Sequence, residues 1–222
     1  MKIFFLRHGQ AKHDKDGILR SDEINGDGLT DYGKIQVGES AKVIKSFGVV
    51  RIFSSDTLRT RESTRIVNDE LGLSDDCIQY DKDLREVNAG ELAKQGKSLA
   101  CLREVCDANR ESEYGIETQE EMYVRACRVL NRYKTQFNEI AKEKDANVLF
   151  SGHGYFNCML RYCISEGLDK PFDRNEYREQ YAIGVTNASI LMIDMDCKPE
   201  FRKAEFVHGG LRTKNASKED AK

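Results

Sequence analysis

Four short runs of apolar, partly β-branched residues mark the chain, at residues 3–6, 49–53, 148–150 and 190–193. Each run is continuous rather than alternating, the pattern of a strand covered on both faces. Between the runs, apolar positions fall three and four apart, which is the helical period. The strongest such stripe is Met122, Ala126, Val129, Leu130, Tyr133, Phe137, Ile140 and Ala141. Weaker helical patterns cover residues 33–47, 60–71 and 157–166. Strands alternating with helices predict an α/β fold with a mostly parallel central sheet and helices on both faces.

Residues 96–123 fit that scheme poorly, being too charged for a buried strand. They read as a helical insertion that leaves the core and lies over one edge of the sheet, where such segments commonly shape a substrate pocket. No internal repeat or linker appears, so residues 1–213 are expected to form a single domain, and residues 214–222 a polar, frayed tail. At 222 residues and 39% hydrophobic, the chain has material for one sizeable core. A formal net charge of −3 argues against a general nucleic-acid binder. No stretch approaches the ~20 apolar residues of a membrane span. The opening apolar run ends in Arg7-His8 without a cleavage region, so a cytoplasmic protein is expected. The seven cysteines are odd in number and lack both CxxC and zinc-finger spacing, which reads as buried or incidental thiols with no metal. The sequons at Asn187 and Asn215 carry no weight without a secretory signal.

Three polar clusters follow three of the predicted strands directly: Arg7-His8-Gly9-Gln10, Ser54-Ser55-Asp56-Thr57-Leu58-Arg59 and Ser151-Gly152-His153-Gly154. Ligands of parallel α/β sheets bind beyond the carboxyl ends of the strands. If these strands are neighbours, two histidines and two arginines meet there, and helices starting after the turns aim N–H groups at the same place. That collection suits a phosphoryl group. A guanidinium clamps two phosphate oxygens and keeps its charge. A neutral imidazole can attack phosphorus, and arginines with a protonated histidine can neutralise the equatorial oxygens without a metal. Glu86, in Asp83-Leu84-Arg85-Glu86-Val87, is the candidate proton donor, on the expectation of an apolar wall beside its carboxyl.

These residues resemble the histidine phosphatase superfamily, which includes the cofactor-dependent phosphoglycerate mutases. Arg7-His8-Gly9 is similar to its RHG signature, and Leu29-Thr30-Asp31-Tyr32-Gly33 with Gln36 to its LTxxG element. Ser54-Ser55-Asp56 with Arg59 resembles the segment of the second phosphate-binding arginine, and Leu84-Arg85-Glu86 with Gly90-Glu91 that of the acid. Residues 115–118 resemble the GES element, Ser151-Gly152-His153-Gly154 the SHG element, and Asn187-Ala188-Ser189 a common late element. The likeness runs in order to about residue 195. It implies a three-layer α/β/α sandwich of the phosphoglycerate mutase kind, with its helical insertion over the active site. It further implies that His8 is phosphorylated, that Arg7, Arg59 and His153, with Gly154, form the phosphate pocket, and that Glu86 is the acid. No metal or other cofactor is implied.

The departures sharpen the expectation. An Asn often stands six positions after the nucleophile, where this chain has Asp14, whose carboxylate would repel phosphate unless protonated or turned away. The polar loop of residues 11–28 can place His13, Ser21 or Asn25 nearby instead. Leu92-Ala93-Lys94 replaces the usual aromatic and acidic run, and tryptophan is absent. His13 and His208 read as structural or surface residues, Asp56 as a turn or helix cap, and Lys94, Lys97 and Arg103 as a solvated face. The function expected is a metal-independent phosphatase acting on a small phosphorylated metabolite, with a phosphoprotein as a further substrate class. A mutase and a phosphate-binding module with a vestigial site are the alternatives. Selectivity is expected in residues 11–28 and 96–123, and neither substrate nor oligomeric state can be read.

Overall fold

The computed structural model describes residues 1–20, 26–181, 185–196 and 205–208. Its strands are β1 (Lys2–Arg7), β2 (Val49–Ser54), β3 (Ile78–Tyr80), β4 (Asn147–Gly152), β5 (Ile190–Asp194) and β6 (Glu205–His208). Its helices are α1 (Lys12–Asp16), α2 (Asp31–Ile44), α3 (Leu58–Leu71), α4 (Gly90–Lys94), α5 (Leu99–Asp107), α6 (Gln119–Ile140), α7 (Gly154–Glu166) and α8 (Arg174–Glu176). The strands form one sheet in the order β3-β2-β4-β1-β5-β6. Among the described residues no helix is long and apolar enough to cross a membrane.

The continuous apolar runs are continuous because helices cover both faces. Ile3, Phe5, Phe53, Val148 and Phe150 point into one core with α5, α6 and α7. Phe4, Leu6, Ile52 and Leu149 point into the other, with α2 and α3. Side chains alternate along each strand, so neighbours in sequence serve opposite cores. The first core is anchored by stacked Phe53 and Tyr133, 4.3 Å between ring centroids, with Phe137 and Phe150 around them. Such pairs contribute about 0.5–1.5 kcal/mol beyond their burial.

β2, β3, β4 and β1 run parallel, but β5 is antiparallel to β1, pairing Leu6 with Ile190 and Lys2 with Asp194. The sheet is therefore mixed, with four of its six described strands parallel, in keeping with the mostly parallel sheet expected. The chain after α7 returns to the carboxyl edge, where the Ala188 N–H donates to the Arg7 and His8 carbonyls, so β5 starts there and runs back.

The charged stretch resolves into α5, a turn at Glu111–Tyr114 and the first residues of α6, which Thr118 caps reciprocally with Glu121. Leu99, Leu102 and Arg103 of this stretch line a cavity beyond the strand ends. The Leu19 N–H donates to the Lys97 carbonyl at 2.8 Å, tying this insertion to the first loop. The tail from residue 214 lies outside the described residues, as do Ser21, Asn25, Cys197 and Asn215.

Candidate active site

The parallel register aligns the three strand ends, Arg7 with Gly152 and Ser54 with Ser151. The residues that follow are then locked across the edge. The His8 N–H donates to the Gly152 carbonyl and the Ser55 N–H to the Ser151 carbonyl, both at 3.0 Å. The His8 and His153 rings lie 5.3 Å apart at 67°. Arg7, His8, Arg59, Glu86, His153 and Gly154 all line one cavity of about 150 Å³. Sequence reasoning named all six, and the fold brings all six together.

The RHG turn is held by close backbone packing. A Cβ on Gly9 would sit 2.3 Å from the Gly33 carbonyl, and one on Gly33 2.1 Å from the Gln10 carbonyl. Gln36 Oε1 accepts from the Gln10 N–H at 2.9 Å, and the Thr30 side chain caps α2. The LTxxG segment is thus the bed on which the His8 turn lies.

His8 is buried, and its Nδ1 lies 2.8 Å from the Gly9 carbonyl. A carbonyl only accepts, so Nδ1 carries the proton and Nε2 keeps its lone pair. Burial lowers the His8 pKa to about 3, with Arg59 and Arg7 adding to the shift and Asp14 opposing it. His153 Nδ1 faces Arg59 Nη2 at 3.3 Å and Nε2 faces Ser55 Oγ at 2.9 Å. A guanidinium only donates, so His153 accepts through Nδ1 and donates through Nε2 to Ser55. Burial, then Arg59 and His8, push its pKa well down. His153 is a neutral partner of Arg59, not the imidazolium that the sequence suggested.

Arg59 is fully buried, giving a second Nη2 bond to the Arg20 carbonyl at 3.1 Å. Arg7 donates to the Val185 carbonyl at 2.6 Å and to Asp14 Oδ1 at 3.2 Å. Both guanidiniums keep a buried Nε–H with no partner among the described residues. A buried donor left unpaired is costly, and an anion in the cavity they share would satisfy it.

Glu86 is not set against an apolar wall. Its Oε1 accepts from the Val87 and Phe156 N–H groups, both at 3.0 Å, and its Oε2 from the Tyr155 N–H at 3.1 Å. The first turn of α7 is therefore largely occupied by this carboxylate rather than open to a phosphate. Of about four acceptor sites on a carboxylate, these three bonds leave one. Gly154 lies between the two functional groups: a Cβ there would be 3.8 Å from Glu86 Oε2 and 3.9 Å from Arg7 Nε.

Asp14 is neither turned away nor remote, but lines the cavity beside Arg7. His13, read as structural or surface, also lines it, buried, with its ring 6.3 Å from that of His8. Asp56 does not cap α3, whose cap is Thr57; it forms a bidentate pair with Arg85 at 2.6 Å. Arg103 lines the cavity and reaches the Tyr155 hydroxyl at 3.3 Å, while Lys94 pairs with Glu91. Ser55 and Asn187 stood inside quoted motifs without a role. Ser55 receives His153, and Asn187 donates to Asp14 Oδ2 at 3.1 Å. Their position next to a motif residue was the only available signal. Among the described residues no group of three or more His, Cys, Asp or Glu is placed to hold a metal ion.

Comparison with known proteins agrees with this geometry. A probable phosphatase of Schizosaccharomyces pombe is 27% identical over 197 residues, 88% of this chain and 87% of that protein. A probable phosphoglycerate mutase GpmB of Escherichia coli is 30% identical over 95 residues, 43% of this chain and 42% of its own. A mycobacterial glucosyl-3-phosphoglycerate phosphatase, solved with VO3, superposes with a TM-score of 0.71 at 18% identity, covering 92% of this chain and 96% of its own. The profile of the histidine phosphatase superfamily (branch 1) matches residues 3–198. With the RHG turn, both arginines and the second histidine around one cavity, the chain belongs to the histidine phosphatase superfamily.

Proposed function

We propose that the protein is a phosphatase that hydrolyses a phosphomonoester through a phosphohistidine on His8. One observation carries the reading. His8 presents an unprotonated Nε2 to a cavity where two guanidiniums hold unpaired N–H groups. Phosphoryl transfer asks chiefly for positioning and for charge on the equatorial oxygens, which Arg7 and Arg59 supply. In the first step His8 Nε2 bonds to phosphorus, the ester P–O bond breaks, and Glu86 gives its proton to the departing oxygen. In the second step Glu86 takes a proton from water, whose oxygen displaces His8 and releases phosphate. His153 acts on this group through Arg59, which it orients, backed by Ser55.

Ile18, Leu19, Val87, Leu99, Leu102 and Val185 give the cavity an apolar part of its lining. Arg103 stands at its rim. This favours a small ester whose alcohol has an apolar body over a phosphoprotein. Hydrolysis rather than mutase transfer is supported by the name of the relative that spans most of the chain. The test is a screen of small phosphorylated metabolites with rapid quench at alkaline pH and mass analysis. One phosphoryl group on His8, followed by release of inorganic phosphate, is expected. Turnover with no label at His8, or return of the phosphoryl group to a sugar acid, would overturn the reading.

A further inference from the structure

Asp14 puts a negative charge inside a pocket built for an anion. Its Oδ1 accepts from Arg7 Nη2 at 3.2 Å, and its Oδ2 from the Ala11 N–H at 2.8 Å and Asn187 Nδ2 at 3.1 Å. The His8 Nδ1 lies 3.8 Å away and the His13 Nε2 3.9 Å away. His13 in turn has Asp27 at 3.7 Å on its other nitrogen. These neighbours come from β1 and the turn after it, α1 and its N-cap, the loop before α2 and the turn before β5, with Arg59 of α3 acting on Asp14 through its charge. Burial raises the Asp14 pKa, but His8, Arg7, His13 and the Ala11 N–H more than offset it, and the carboxyl stays below its ordinary value.

Asp14 thus answers part of the positive charge that Arg7, Arg20, Arg59 and Arg103 bring to the cavity lining, and the two catalytic-edge histidines, being neutral, add none. An asparagine at this position would offer N–H groups to a phosphoryl oxygen; a carboxylate offers only lone pairs. A fully ionised phosphoryl oxygen approaching Asp14 therefore meets repulsion, whereas a P–OH meets a strong acceptor. With a second pKa near 6, a phosphomonoester carries that proton about one time in ten at pH 7. That is a small penalty beside two bare charges in contact at a buried site.

We infer that this site, in the reaction proposed above, takes its phosphoryl group with one proton shared between the nearest phosphoryl oxygen and the Asp14 carboxylate. Asp14 is thus the residue that selects the monoanionic ester, and the product leaves as dihydrogen phosphate. The proton enters with the substrate or from solvent on binding and departs with the product.

The decisive measurement is calorimetric binding of inorganic phosphate and of sulfate to the full chain from pH 5 to pH 8. The two ions share shape and oxygen geometry, but sulfate carries no proton in this range. The unmodified chain is expected to bind phosphate at least tenfold tighter than sulfate at pH 5.5. Its phosphate affinity should fall about tenfold per unit above the second pKa of phosphate. In Asp14→Asn the two anions should bind within about threefold of each other, and the kcat/KM profile for a monoester should extend to higher pH by about one unit. Equal binding of sulfate and phosphate by the unmodified chain overturns the inference, as does phosphate affinity that rises with the dianion. Parallel loss of Asp14→Asn activity at every pH, with both anions still discriminated, also overturns it. The wild-type binding arm needs no variant and no turnover. An absence of phosphatase activity would therefore sink the proposed function while leaving this question decided on its own terms.

Discussion

Arg59 and Arg7 serve one cavity but are held in different ways. Arg59 is fully buried and faces a neutral imidazole and a carbonyl. Burial pulls its pKa below the ordinary arginine value, although a guanidinium stays charged throughout the working range. Arg7 is 23% exposed in its side chain and already pairs with the Asp14 carboxylate. One arm thus meets carboxylates only at longer range, with no carboxylate hydrogen-bonded to it, and the other presents charge that a directly bonded carboxylate has partly answered. The difference teaches that the arginines of a phosphate pocket are not interchangeable even when both line it. Attraction comes mainly from the Arg59 side, while the Arg7 side sets the protonation state that is admitted.

The largest effect is expected at the group between the two arms. His8→Ala should abolish ester hydrolysis, because the bare nitrogen of His153 is engaged by Arg59 whereas that of His8 is left free for phosphorus. Steady-state phosphate release measures this, with circular dichroism confirming the fold; retained turnover would remove the phosphohistidine step. Next come the arms themselves. Loss of one preorganised donor to transition-state charge costs roughly 10²–10³-fold. Both Arg59→Ala and Arg7→Ala should lose that much in kcat/KM. Only Arg7→Ala removes a hydrogen-bonded cation from Asp14. Adding Asp14→Asn should therefore recover about tenfold for Arg7→Ala and much less for Arg59→Ala, a coupling in the usual range for contacting residues. Equal recovery in both backgrounds would erase the distinction between the arms.

A smaller effect separates acid from scaffold. Glu86 both caps α7 through three N–H bonds and supplies the leaving-group proton in the proposed reaction. Glu86→Gln turns an N–H group towards these backbone donors, so some activity is lost on every ester. Loss of the acid adds a factor of about 10²–10⁴ on alkyl esters, and little on nitrophenyl phosphate, whose leaving oxygen needs no proton. The ratio of the two kcat/KM losses isolates the acid. A ratio near one would leave Glu86 as a cap alone.

Much of this site was legible because burial and position both write themselves into sequence. β1 and β4 are covered on both faces, so their apolar runs are unbroken, and the polar residues that follow must lie at the edge. The short outer strands were not legible. β3 has three residues, half-buried or exposed, and β6 four, too few for a period to show. Strand direction is also silent in an apolar run: β5 is antiparallel because of where its connection re-enters the edge. Helix starts were read two or three residues late at α2, α3 and α7, since their first turns begin in motif residues. The Asp56 reading failed because its partner, Arg85, is distant in sequence and leaves no local mark, while His13 lies in the cavity, where the polar loop was expected to be able to place it. Ser55, behind His153, is likewise a product of strand register alone.

The smallest expected effect concerns acid, and here the two histidines act together. Free histidine titrates near 6.5, and His8 and His153 are both held far below that, chiefly by burial. Between those values the unfolded chain binds protons that the folded chain refuses. Stability is therefore fully present above about pH 6.5 and falls with acidification, by about 1.4 kcal/mol per pH unit for each histidine. The depressed carboxylates cannot mimic this loss. Asp14 and Asp56 lie below their ordinary value near 4, so their stabilisation starts to fade only as pH approaches that value. Denaturant unfolding at intervals from pH 6.5 to pH 5 thus reads the histidines almost alone. His8→Ala should remove about one proton from the slope in that window. An unchanged slope would mean that His8 is protonated in the folded chain. The Nδ1 bond to Gly9 would then no longer imply a free lone pair on Nε2, and the nucleophile assignment would lose its geometric basis.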